Sequence, residues 1–213
     1  PMIYGGMPNV IDMKTTIYPY GSPELNLLVG AATEIAHYYD LPMLGTAGCT
    51  DAKFMGLQTG IEAALQCVAS ALFGANMVHD VGLMDHATMI SPELMVLTNE
   101  IIDMTGVILR RVEISDKTLA LDVIDQVGPG GSYLAEEHTY EHFGKFWVPR
   151  VFDRSRTAGS GTVRHSEELL RERTLKLLFE HTPPPMDEGL KAELKKLEKT
   201  WFDRLGVDHV YPE

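Results

Sequence analysis

Leu41-Pro42-Met43-Leu44-Gly45-Thr46-Ala47-Gly48-Cys49-Thr50-Asp51 decides the fold class. Residues 41–44 are short and apolar, as in a buried strand. They run into a glycine-bearing loop, and a helical pattern follows from about Lys53 to Phe73. The same order recurs on both sides. Upstream, residues 2–6 read as a short strand ending in Gly5-Gly6. Residues 7–21 are loop-like, although residues 10–13 could pair as a strand. Ser22-Pro23-Glu24 then starts a helix that runs to about Tyr39: serine caps, proline fits the first turn, and glutamate suits the positive helix end. Downstream, residues 75–80 form a third strand. A second Ser-Pro-Glu, Ser91-Pro92-Glu93, opens a helix to about Arg110. Strand midpoints near positions 4, 43 and 77 lie roughly 35–40 residues apart, the size of a βα unit.

Short apolar strands alternating with long amphipathic helices predict an α/β fold with a parallel sheet. Doubly wound and barrel arrangements both fit. No GxGxxG or GxxxxGK[ST] follows a strand, so neither a Rossmann nor a P-loop phosphate site is expected. Ser115 starts a further helix over 116–127, broken by Gly128-Pro129-Gly130-Gly131. Residues 132–162 read as irregular, with a hinge at Gly159-Ser160-Gly161. Two charged amphipathic helices follow, over about 163–181 and 187–205, separated by Pro183-Pro184-Pro185. They suit a covering or homo-oligomerisation element. The expected organisation is therefore βα units with a loop region over 1–162 and a helical extension over 163–213.

The 213 residues carry a net charge of −12, which repels phosphate backbones and argues against nucleic-acid binding. No apolar run approaches the ~20 residues that span a bilayer, and no signal peptide opens the chain, so a cytoplasmic protein with no membrane association is expected. Cys49 and Cys67 fall in no CxxC or Cys/His ligand spacing, and no metal site is expected.

In α/β sheets and barrels, sites gather at the C-terminal ends of strands. That rule singles out Tyr4-Gly5-Gly6, residues 45–51 and His79 to Gly82. Asp51 and Lys53 read either as a helix cap beside a solvated lysine or as an ion pair on a pocket floor. His79 and Asp80 close the third strand, with Asp85 and His86 just beyond; their spacing matches no closed set of metal ligands. Tyr4, Tyr18 and Tyr20 can line a pocket mouth, where aromatic faces attract alkylammonium groups. Cys49 lacks the partners of a nucleophilic cysteine. Residues 136–142 carry His138 and His142 at helical spacing without an HExxH arrangement, and read as a loop covering one end of the sheet. Tyr4, Thr46, Asp51, His79 and Glu137 are the candidate substrate-binding residues; no catalytic residue is assigned.

Several strings together resemble the trimethylamine methyltransferase family. They are Leu41-Pro42 with residues 45–53 and Gln58, and upstream Asp12-Met13-Lys14 with residues 21–24. Thr118-Leu119-Ala120, Ile124, residues 127–131, Leu134 and Glu137-His138-Thr139 follow, then residues 183–187. The resemblance implies a (β/α)₈ TIM barrel of which this chain supplies about half, plus C-terminal helices. Family members take a methyl group from trimethylamine, or from quaternary amines such as glycine betaine. They pass it to the Co(I) corrinoid of a separate partner protein, which docks over the barrel mouth. Trimethylamine-specific members carry pyrrolysine; this chain has only the standard residues, and residues 45–50 are the natural place for that position, so the resemblance points to a quaternary amine. A different barrel enzyme, an aldolase or isomerase using Lys53 as a Schiff base, is the first alternative. A non-catalytic half-barrel that binds a partner or oligomerises is the second.

Overall fold

The computed structural model describes residues 1–156 and 163–208, so the Gly159-Ser160-Gly161 hinge reading lies outside the described residues. The chain divides into two compact units, Pro1–Leu175 and Lys176–Glu213.

The first unit is built on three parallel strands in the order β1-β2-β3: β1 (Tyr4–Gly5), β2 (Met43–Thr46) and β3 (Met77–His79). Tyr4 pairs with Met43, Leu44 with Met77 and Thr46 with His79. Two helices cross between them, α1 (Pro23–Tyr38) and α2 (Leu57–Phe73). The strands are shorter than predicted, but their order and direction follow from the βα spacing. Residues 10–13 form no strand. Asp12 turns the chain there by accepting from Lys14 N at 2.9 Å and Thr15 Oγ1 at 2.9 Å.

Helix starts follow local chemistry. Ser22 accepts from Leu25 N at 3.3 Å ahead of Pro23. Ser91 does the same to Leu94 N at 3.2 Å ahead of Pro92, opening α3 (Pro92–Leu109). α2 begins at Leu57, four residues later than the pattern predicts, because residues 50–53 are tied into other structure. A hairpin, β4 (Leu83–Met84) and β5 (Met89–Ile90), follows β3 and was not expected. It is laced to the loop after β2 by Thr50 N to Leu83 O at 3.0 Å and Asp85 N to Ala52 O at 3.1 Å. α2 closes at Gly74 with φ 84, the left-handed turn that glycine supplies.

Two apolar clusters hold this unit. Leu25, Val29, Ala32 and Ala36 of α1 pack on Met43 of β2. Ala63 and Cys67 of α2 meet Leu94 and Ile101 of α3, together with Ala47, Ala52 and Met84. Helices cover the sheet face that bears Met43, while alternation turns Leu44 and Thr46 to the other face, beside Met77 and His79.

Beyond α3 the predicted helix over 116–127 is split into α4 (Asp116–Leu119) and α5 (Leu121–Val127), because Ala120 adopts a left-handed φ of 48. Within the stretch read as irregular, α6 (Glu137–His142) forms with a short 3₁₀ turn after it. Glu100 of α3 is 2% exposed and accepts from Arg150 N at 2.5 Å and Val151 N at 3.4 Å, which pins the returning chain to the helix. α7 (Ser166–Glu180) follows, with Leu170 and Thr174 buried. In the second unit, α8 (Glu188–Leu205) is capped by Asp187, which accepts from Leu190 N at 3.0 Å, and ends at Gly206 with φ 62.

Candidate active site

Parallel strands deliver their C-terminal ends to one side, and polar side chains collect there. Thr46, the last residue of β2, is 2% exposed and donates to Asp80 Oδ2 at 2.7 Å. The other oxygen of Asp80 lies 2.7 Å from His79 Nδ1, so the carboxylate orients the imidazole. Asp80 has a left-handed φ of 73, a conformation that costs a non-glycine residue ~1–2 kcal/mol and persists when its surroundings over-determine it.

The loop after β2 makes the second half. Asp51 accepts from Tyr20 N and Gly21 N, each at 2.8 Å, one on each carboxylate oxygen. It does not cap α2; it fastens the aromatic loop before α1. Glu62 of α2 supports it, accepting from Thr50 Oγ1 at 2.5 Å, Asp51 N at 2.9 Å and Gln58 Nε2 at 2.8 Å. Gly21 packs flat on that carboxylate, where a Cβ would stand 2.3 Å from Glu62 Cδ. Gln66, one turn on and 1% exposed, accepts from Cys49 N at 3.1 Å and donates to Tyr20 O at 2.8 Å. Sequence reasoning missed Glu62 and Gln66. Their signal is a polar residue at every fourth position, Gln58, Glu62, Gln66 and Ser70, through an otherwise apolar helix.

This framework presents an open pocket of about 530 Å³ lined by Met7, Ile17, Tyr18, Tyr20 and His86. Tyr18 and Tyr20 meet edge to face, with centroids 5.4 Å apart. Burial holds the Tyr20 hydroxyl above the ordinary phenol range, and the negative charges of Asp80 and Asp51 add to it. The Tyr18 hydroxyl is raised first by burial and then by Tyr20, Cys49 and Asp80. Both carboxylates therefore act on the aromatic pair. His86 Nδ1 lies 2.9 Å from Asp51 Oδ1, a close contact not lined up as a hydrogen bond.

Of the candidate binding residues, Thr46, Asp51 and His79 stand at this strand end. Tyr4 packs with Met7 and Tyr18 on the Leu25 cluster and does not line the pocket. Glu137 is exposed at the start of α6. That helix is joined to α4 by a Lys117–Glu141 ion pair at 2.8 Å and by His138 Nε2 to Lys117 O at 3.0 Å. His138 and His142 stack at 4.2 Å. Among the described residues no group of three or more His, Cys, Asp or Glu side chains is placed to hold a metal ion.

Two other readings of the loop lose support. Cys49 is fully buried, and burial pushes its thiol up to about 12, so no thiolate nucleophile is available. Lys53 is 52% exposed, donates to Asp51 O at 2.7 Å and pairs with Asp85 at 3.1 Å; a Schiff base needs a desolvated, uncharged amine instead.

A family model described as trimethylamine methyltransferase matches residues 1–200. The chain is 30% identical over 209 residues to a trimethylamine methyltransferase of Desulfitobacterium hafniense strain DSM 10664 / DCB-2, covering 97% of this chain and 42% of that protein. It is 29% identical to a glycine betaine methyltransferase of Desulfitobacterium hafniense strain Y51, covering 92% of this chain and 41% of that one. It is 31% identical to a trimethylamine methyltransferase of Methanosarcina mazei, over 90% and 39% of the two chains. The chain thus spans about two fifths of the length of these relatives. No helix among the described residues is long and apolar enough to cross a membrane.

Proposed function

Because the chain belongs to the trimethylamine methyltransferase family, we propose that its residues 1–162 form the amine-binding part of an enzyme that moves a methyl group from a tertiary or quaternary methylamine to the Co(I) corrinoid of a partner protein. The observation that carries this reading is the tyrosine pair over two carboxylates, Tyr18 and Tyr20 beside Asp51 and Asp80, in an open pocket at the strand ends. Aromatic faces and fixed negative charge both favour an alkylated, positively charged nitrogen. Three parallel strands in chain order, covered by helices on one face, are consecutive staves of the (β/α)₈ barrel the family resemblance implies. The uncovered face, with Thr46 and His79, is then the barrel interior. Residues 163–213 are the helical extension. The stripe Leu190, Leu194, Leu197 and Trp201 on α8, each roughly half exposed, supports its use in a homo-oligomer.

The acceptor, a reduced corrinoid on a separate protein, supplies the nucleophile for the methyl carbon. The residues of this chain hold and orient the amine. Tyr18 and Tyr20 grip the cationic nitrogen, and Asp51 fixes their loop through the backbone of residues 20 and 21. Open access on one side suits a second protein approaching the bound methyl group. A quaternary nitrogen leaves as a neutral amine without a proton, and standard residues at positions 45–50 support such a substrate within the family. Grip on the ground-state cation lowers KM more than it raises kcat.

The test mixes the complete protein with its Co(I) corrinoid partner and screens trimethylamine, tetramethylammonium and betaines for the methyl-Co(III) spectrum. Methyl-Co(III) with at least one of them is expected. A corrinoid spectrum unchanged by all of them rejects the reading.

A further inference from the structure

We propose that Lys53 and Asp51 hold the imidazole of His86 as its neutral Nδ1–H tautomer, making it an uncharged third wall of the amine pocket, with Lys53 as a positioning residue. This rests on the amine-binding reading above.

His86 lines the pocket beside Tyr18 and Tyr20, yet neither of its nitrogens is free to serve a ligand. Nε2 lies 3.3 Å from Lys53 Nζ. An ammonium has donors only, so Nε2 carries a bare lone pair and accepts. The single proton of the neutral ring then sits on Nδ1, which is buried and 2.9 Å from Asp51 Oδ1. Lys53 is fixed in turn, donating to Asp51 O at 2.7 Å and pairing with Asp85 Oδ1 at 3.1 Å. With both nitrogens engaged, the ring offers carbon to the pocket, as the two tyrosines do.

The backbone agrees. Asp85, His86 and Ala87 all adopt left-handed φ values, 47, 55 and 65, in one turn of the β4–β5 hairpin. Three consecutive non-glycine residues in that region are costly, and such strain persists where surrounding contacts over-determine it. Here Asp85 N bonds Ala52 O, and Thr88 Oγ1 bonds Asp85 O at 2.7 Å and Asp85 Oδ2 at 2.9 Å. The turn exists to aim residue 86.

Charge explains why neutrality needs a device. The groups facing the imidazole are Asp51 and Lys53 from the loop after β2, Asp85 from its own turn, and Tyr18 and Tyr20 from the loop before α1. Two carboxylates favour the imidazolium, and Lys53 opposes it. Without the ammonium, the ring takes a proton and places positive charge in the wall of a site for a cation.

The test uses the complete protein labelled with ¹⁵N-histidine. Long-range ¹H–¹⁵N spectra at neutral pH should show His86 as the neutral Nδ1–H form, and as imidazolium in Lys53→Met. Calorimetry with tetramethylammonium should show Lys53→Met binding about tenfold weaker near pH 6.5 and close to the unsubstituted protein near pH 8.5. Lys53→Arg should bind normally, and Lys53→Met/His86→Phe should lose the pH dependence. A merely structural lysine would weaken binding equally at both pH values. The proposal is overturned by an Nε2–H or charged His86 in the unsubstituted protein, or by a pH-independent loss in Lys53→Met. Failure of the amine reading looks different: tetramethylammonium then binds no variant, while the histidine spectra still decide the tautomer.

Discussion

Tyr20 shows how much a single residue can hold. Its backbone N–H is held by Asp51, its carbonyl by Gln66, and its ring stands against Tyr18 at the pocket. Replacing only the ring should therefore leave the loop in place. Tyr20→Leu is expected to raise KM for a methylated amine about tenfold, from the loss of ~1–2 kcal/mol of cation–π attraction, while kcat falls less than threefold; steady-state methyl transfer by the complete protein checks this. Asp85 offers a pH-dependent counterpart. Hydrogen bonding from Lys53, then from Thr88, holds its carboxyl below the ordinary value of 3.8. A depressed carboxyl stabilises the fold above its unfolded value, and that contribution disappears as pH falls through the folded one. The hairpin turn should stay formed from neutral pH down to about 4 and loosen below it. Amide exchange at Asp85 and Thr88, followed by NMR across that range, would show the opening; protection unchanged down to pH 2 would contradict it.

Among the elements, those set by their own sequence were readable and those set by distant partners were not. α1 and α3 start where Ser-Pro-Glu says they should, because the cap, the proline and the first-turn glutamate are all local. The hairpin β4–β5 was missed because three left-handed residues in a row, none of them glycine, follow no local preference; the loop after β2 imposes them. The same loop delays the start of α2. Ala120 splits a helix that the pattern reads as continuous, and again the backbone departs from what an alanine prefers. At the site, strand-end position pointed to Thr46, Asp51 and His79, but it also pointed to Tyr4, which the Leu25 cluster claims. Glu62 and Gln66 were hidden because polar residues inside an apolar helix look like interruptions until their backbone partners are known. The Glu100 tie between α3 and residues 150–151 belongs to this scale as well. Glu100→Ala leaves two backbone N–H groups without their buried acceptor and should cost about 3 kcal/mol in urea unfolding. Glu100→Gln keeps an acceptor oxygen and should cost less than half as much; equal losses would show that the charge, not the acceptor, matters.

For the molecule as a whole, the notable quantity is the apolar surface left outside. β1 and β3 are the two edges of the sheet. Met2, Ile3, Met77 and Val78 beside them are 70%, 52%, 41% and 43% exposed, and edge strands with apolar flanks invite further pairing. The 213-residue chain, expressed by itself, should bind the dye ANS in buffer and associate at micromolar concentration, as seen by sedimentation. A monomer with no dye binding would mean that these edges need no cover. The repeated Ser-Pro-Glu start has a different consequence. A helix that carries its own opening signal does not depend on the chain that leads into it, so the span between β1 and Ser22 can change length and composition while α1 keeps its register on Met43. That span bears both pocket tyrosines. Natural variation, or a deliberate graft, can thus exchange the ligand-gripping segment as a cassette, provided that two backbone N–H groups still arrive opposite Asp51.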